Sequence, residues 1–140
     1  MGSWCGAYRD GRDRRWTIAH NEGVNVDMLD AAISALAGVG PLLPRVDPSN
    51  RRTSPAREQF LAAVSAINFV VNVLRIVRVD EITRRGRKPQ SDECSALVRE
   101  LLTLRGHVEG GRHASAAREH ELIVKRAKAL RAALAEYSED

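Results

Sequence analysis

An all-α domain of four to five bundle-like helices, built around one long central helix at about residues 55–79, is the fold class this sequence predicts. Three observations predict it. Residues 55–79 are apolar over most of a helical circumference, two downstream segments repeat apolar residues at alternating spacings of three and four, and clusters of Gly and Pro separate these runs. A chain of 140 residues has the usual size of one domain, in which a single modest core forms without staples.

The first 24 residues read as an irregular arm, and residues 25–140 as the helical domain. Gly2, Gly6, Gly11 and Gly23 punctuate the arm, and Arg and Asp alternate from Arg9 to Arg15. Trp4, Tyr8 and Trp16 nevertheless lie there, half of the chain's aromatic residues. Such large apolar side chains are expected to pack back onto the bundle, the alternative being an arm that touches another molecule. From Asp27 to Ala37, Leu29, Ala32, Ile33 and Leu36 fall on one helical face. Asp27 is a suitable cap, and Gly38, Gly40 and Pro41 end the run. Pro41 to Ser54 is a Pro-rich loop that delivers Ser54 as N-cap and Pro55 at the first helical position.

The helix that starts there carries Phe60, Leu61, Val64, Ile67, Phe69, Val70, Val71, Val73, Leu74, Ile76 and Val77. A helix so apolar must be surrounded. Its polar residues Ser65, Asn68, Asn72 and Arg75 recur at three and four and form one narrow stripe, at about 1.5 Å of rise per residue. That stripe and the length favour a helix over a strand, despite the β-branched content. The same residues favour a buried helix over a membrane span.

Thr83 to Ser91, TRRGRKPQS, breaks the pattern at Gly86 and Pro89. Ser91 then caps a third helix, along which Cys94, Leu97, Leu101, Leu104 and Val108 repeat, with Gly106, Gly110 and Gly111 weakening or ending it. A last helix from about Arg112 to Tyr137 aligns Ala116, His120, Ile123, Ala127, Leu130, Leu134 and Tyr137 on one seam. Its small residues permit close helix approach, so residues 112–137 are the expected contact of a homo-oligomer, most simply a homodimer.

Cys5 and Cys94 are far apart and lack any Cys or His at ligand spacing, so neither a disulfide framework nor a zinc site is expected. No N-terminal run has the build of a secretion signal, and the expected location is the cytoplasm, away from membranes. The net charge is +4, but residues 51–90 hold nine basic side chains against three acidic ones. Clustering of this kind points to an acidic partner more than a high isoelectric point does.

The segment RRGRKP from Arg84 to Pro89 is the sharpest motif. Arg-Gly-Arg sets two guanidinium groups on a backbone with no side chain between them, which suits entry into a narrow nucleic-acid groove. Arg85, Gly86, Arg87 and Pro89 resemble the AT-hook and the Arg-Gly-Arg-x-Pro element of actinobacterial nucleoid-associated silencers, with Lys88 intervening before the proline. That resemblance, over about six residues, implies groove binding. Arg84, Arg85, Arg87 and Lys88 are then the expected nucleic-acid contacts, with Arg51 and Arg52 adding long-range attraction.

His113 and His120 share a seam of the last helix, with Glu109 one turn earlier, but the Glu-x-x-His signature of bundle metal sites is missing. The ordinary expectation is a boundary histidine satisfied by a backbone carbonyl or by the asparagine stripe, with no metal and no cofactor. The pairing of REQFLAAVSAINFVVNVLR with LVRELLTLRGHVEGGRH resembles the HEPN class of small helical domains. Members that cut RNA use an Arg and a His four to six residues apart near a dimer seam. Here Gly110 stands where the histidine paired with Arg105 belongs, and His107 and His113 are out of register. The one Arg-x4-His, Arg15 to His20, lies in the arm. The resemblance therefore implies an inactive, structural or antitoxin-like relative.

No phosphate loop, Ser-His-Asp set or catalytic carboxylate pair is present, so an enzyme is not the expected class. The expected role is that of a small bacterial or phage regulatory or accessory protein that binds nucleic acid through residues 83–91. The competing expectation is a protein-interaction or assembly module without nucleic acid.

Overall fold

The computed structural model describes residues 11–45 and 55–138, with side chains placed over 23–43 and 57–137. Among them the protein is all-α, a bundle of four long helices with no strand. These are α1 (Gly11–Ala37), α2 (Pro55–Thr83), α3 (Lys88–Glu109) and α4 (His113–Ser138), and a short 3-10 turn, Gly40–Arg45, follows α1. Each helix packs on its neighbours in sequence, and α1 closes the ring against α4. Asp30 faces Arg131 while Leu36 faces His120, so α1 and α4 run antiparallel.

One apolar core fills the ring, and it includes Leu29, Leu36, Ile67, Leu74, Leu97, Leu101, Ile123 and Leu134. The expected α3 repeat, Cys94, Leu97, Leu101, Leu104 and Val108, is wholly buried. A polar clamp joins each seam of the ring. Asn25 of α1 donates to Asp80 and Glu81 of α2, and Arg105 of α3 donates to Asn68 of α2 at 2.7 Å. Arg126 of α4 bridges Glu93 and Glu100 of α3, and Arg131 of α4 pairs with Asp30 of α1. Directional bonds of this sort fix helix register, which close-packed aliphatic side chains specify less sharply.

Several element boundaries differ from the sequence expectation. Helix α1 begins at Gly11 rather than Asp27, running through Gly23 and through the expected boundary between arm and domain. A glycine weakens a helix by only about 1 kcal/mol, which tertiary packing can outweigh. Trp4, Tyr8 and the Ser54 cap lie outside the described residues, as does the side chain of Trp16. Helix α2 continues past residue 79 to Thr83, and α3 starts at Lys88 with Pro89 in its first turn. Ser91 is therefore a buried first-turn residue whose N–H donates to the Arg87 carbonyl, and it is not a cap. The connection shrinks to residues 84–87, where Gly86 takes a left-handed φ of 65° that an L side chain resists.

Helix α2 is also less enclosed than its composition implies. Its inner side is core, but Leu61, Phe69, Ile76, Val79 and Ile82 are exposed by 38–58%. Three neighbours cannot cover the whole circumference of a helix at the edge of a four-membered ring. By length and composition alone, Gly23–Leu43 and Arg57–Thr83 would each be sufficient to cross a membrane, although both supply core residues here.

Candidate functional site

The arginine-rich connection is held in place by the acids just before it. Arg84 and Arg85 both donate their N–H groups to the Asp80 carbonyl, and Arg87 N–H reaches back to the Glu81 carbonyl at 2.8 Å. This winding folds two guanidinium groups over two carboxylates. Arg85 Nε donates to Asp80 Oδ2 at 2.7 Å. Arg87 donates Nε to Glu81 Oε1 at 2.7 Å and Nη2 to Oε2 at 3.1 Å. Asn25 Nδ2 donates to the same two carboxylates, and the Arg87 guanidinium lies 3.9 Å from the centre of the Tyr137 ring.

Glu81 is completely buried, and the Arg85 side chain is 7% exposed. Burial alone raises the Asp80 carboxyl, but hydrogen bonds from Arg85 and Asn25 and the charges of Arg85 and Arg84 outweigh it, so its pKa is held below the ordinary aspartate range. Beneath the network, burial and the nearby Glu81 and Glu93 carboxylates push the Cys94 thiol up to about 12.

The expected contacts Arg84, Arg85, Arg87 and Lys88 thus divide into two pairs. Arg85 and Arg87 are structural members of a network that joins α1, α2 and α4 at one end of the bundle, just before α3 begins. Arg84 and Lys88 point outward, the former 3.5 Å from Asp80 and the latter paired with Asp92 at 2.9 Å. Arg51 and Arg52 lie outside the described residues.

The stripe on α2 is exposed at Ser65, Asn72 and Arg75, whereas Asn68 is half-buried and holds Arg105. Leu61, Phe69, Ile76 and Val79 are exposed along the outer side of the helix, Ile76 at its α1 edge, where it lines a groove with Val24, Asn25 and Met28. Where this side meets α3, a groove of about 320 Å³ opens, lined by Arg75, Arg78 and Val79 of α2 and by Ser95, Val98 and Arg99 of α3. Every acid between residues 75 and 105 is already engaged: Asp80 and Glu81 by Arg85 and Arg87, Asp92 by Lys88, and Glu93 and Glu100 by Arg126. Arg75, Arg78 and Arg99 therefore have no carboxylate partner among the described residues, and positive charge accumulates on one side of the molecule.

The α4 seam faces inward. Ala116, Ile123, Ala127, Leu130 and Leu134 are buried within this chain, where they meet α1 and α3, leaving Leu122 and Tyr137 as the large apolar side chains that α4 exposes. His120 Nε2 lies 2.6 Å from the Leu36 carbonyl, a bond that needs the ring hydrogen on that nitrogen. Gly40 lets the ring approach, since a Cβ there would stand 3.0 Å from His120 Cε1. His113 is exposed, and no group of three or more His, Cys, Asp or Glu side chains able to hold a metal ion occurs among the described residues.

The groove of three arginines was missed by reasoning from the sequence because Arg99 reaches Arg75 and Arg78 only when α3 folds back on α2. The helical spacing of four gives Asp80 with Arg84 and Glu81 with Arg85, whereas the close pairs are Asp80 with Arg85 and Glu81 with Arg87, at spacings of five and six that the turn of the connection creates. No family model, curated protein or solved structure matches this chain.

Proposed function

We propose that this chain is a helical protein-interaction module that receives its partner on the outer face of α2. The observation that carries this reading is the row of Leu61, Phe69, Ile76 and Val79, each 45% exposed or more, along one face of a 29-residue helix. Single exposed apolar residues are ordinary on soluble proteins, whereas an apolar strip rimmed by polar residues marks a contact surface. Ser65, Asn72 and Arg75 are interspersed with these residues on the same face and supply its polar groups. The mixture of Phe, aliphatic and Arg side chains has the composition of interface centres. A photo-crosslinking residue placed at Phe69 or Ile76 is expected to give discrete adducts in cells, with the exposed Lys128 position on α4 as control. Adducts that are absent, or the same from all three positions, would remove the proposal.

A second reading is nucleic-acid binding. It is favoured by the outward-facing Arg84 and Lys88 together with the uncompensated Arg75, Arg78 and Arg99. It predicts affinity for a duplex that falls steeply between low and high salt, because phosphate contacts release counterions. Gel-shift titration is the test, and absent or salt-insensitive binding ends this reading.

A further inference from the structure

Resting on the reading of α2 as a partner surface, we infer that the groove between α2 and α3 selects an acidic amphipathic helix, its carboxylates received by Arg75, Arg78 and Arg99 and its apolar side lying on Val79 and Val98. Charge complementarity points to this occupant. Three guanidinium groups line one groove of about 320 Å³, and the carboxylates on the adjoining turns are occupied elsewhere. Arginine forks match carboxylates in bidentate geometry, and the Ser95 hydroxyl adds a neutral donor at the same place.

The apolar content of the surface argues for protein over a bare polyanion. Val79 is 47% exposed, and Val79 and Val98 line the groove itself. A phosphodiester backbone would gain nothing from covering these groups, whereas the apolar side of a helix would. Bases of single strands gain affinity by stacking on aromatic rings, and Phe69 is the one aromatic side chain exposed on the described part of this face. A helical ligand with acidic and apolar residues spaced by three and four uses both parts of the surface at once.

The test is panning of a phage-displayed library of amphipathic helical peptides against the full chain, followed by affinity measurement with synthetic peptides. Three proteins are compared: the natural sequence, Val79→Glu, and the triple variant Arg75→Gln, Arg78→Gln, Arg99→Gln, each first checked for an unchanged helical circular-dichroism spectrum. The expected result is enrichment of Glu and Asp beside Leu and Ile, with binding weakened about tenfold or more by the triple variant and by changing the peptide's Glu to Gln. Neutral peptides that depend on Val79 but not on the arginines would overturn this inference and leave the α2 surface standing. Selected peptides indifferent to both variants would overturn the surface reading, and the inference with it. Tighter, equally arginine-dependent binding of a DNA duplex or of phosphatidylserine vesicles would overturn the inference in favour of a polyanion.

Discussion

At the scale of single residues, the side chain that most constrains the fold is Glu81, a carboxylate with no solvent exposure that accepts bonds from Asn25 and Arg87 and lies 3.7 Å from Arg85 Nε. Removing one partner of a buried pair strands the other charges, at a cost of about 3 kcal/mol or more. Glu81→Gln is therefore expected to lower the melting temperature by roughly 10 °C in calorimetry. Lys88→Ala, which breaks a pair whose members are 72% and 63% exposed, should cost less than about 1 kcal/mol. Asp80 makes a separate prediction about acid. Its folded pKa is depressed, so the unfolded chain takes up a proton more readily, and the stabilisation is present above the ordinary aspartate value near about 4 and lost as pH falls through the folded value. In urea titrations at descending pH, Asp80→Asn should lose stability less steeply than the natural protein below about pH 4. An equal slope in both would show that Asp80 does not contribute to acid unfolding.

At the scale of the element, α2 combines a core face and a contact face within one helix, and neighbouring residues should report the difference. Leu74 is 1% exposed and Ile76 58%. Leu74→Ala should cost about 2–5 kcal/mol through lost burial and a cavity, while Ile76→Ala should change stability by less than about 1 kcal/mol. Chemical denaturation of the two variants decides it, and comparable losses would mean that Ile76 is covered in solution. The helices themselves were legible because apolar periodicity directly reports a face that must leave water: the α3 positions read on that ground are buried, as are Ala116, Ile123, Ala127, Leu130 and Leu134 of α4, whereas His120 is half-buried and Tyr137 is exposed. The identity of the covering surface was not legible. The small-residue seam of α4 would serve a second copy equally well, yet it is satisfied by α1 and α3 of the same chain. The early start of α1 was hidden because Gly23 and the charged residues around it lower local helix preference, and packing against the other helices is a non-local effect. The arginine-rich connection misled for a similar reason. Its composition reads as a solvated basic loop, and only the return of Arg85 and Arg87 over Asp80 and Glu81 shows that half of its charge belongs to the interior.

At the scale of the whole molecule, the distribution of charge separates what holds the bundle together from what is left over. Ion pairs and hydrogen bonds close each of the four helix seams, and Asp80 and Glu81 of α2 tie the connection to Asn25 of α1 while Arg87 reaches Tyr137 at the end of α4. Arg75, Arg78 and Arg99 stand outside that scheme, three like charges around one groove with no carboxylate among the described residues to offset them. Mutual repulsion of this kind weakens the folded state, and it is screened by salt. Neutralising residues that serve a partner more than the fold is accordingly expected to leave stability unchanged or to raise it. The triple variant Arg75→Gln, Arg78→Gln, Arg99→Gln should melt at or above the temperature of the natural protein in low salt, and added salt should raise the melting point of the natural protein more than that of the variant. Paired thermal melts at low and high ionic strength measure both effects. A variant that melts well below the natural protein at low salt would mean that these arginines help to hold the bundle closed, and that the groove is part of the scaffold instead of a surface kept open for another molecule.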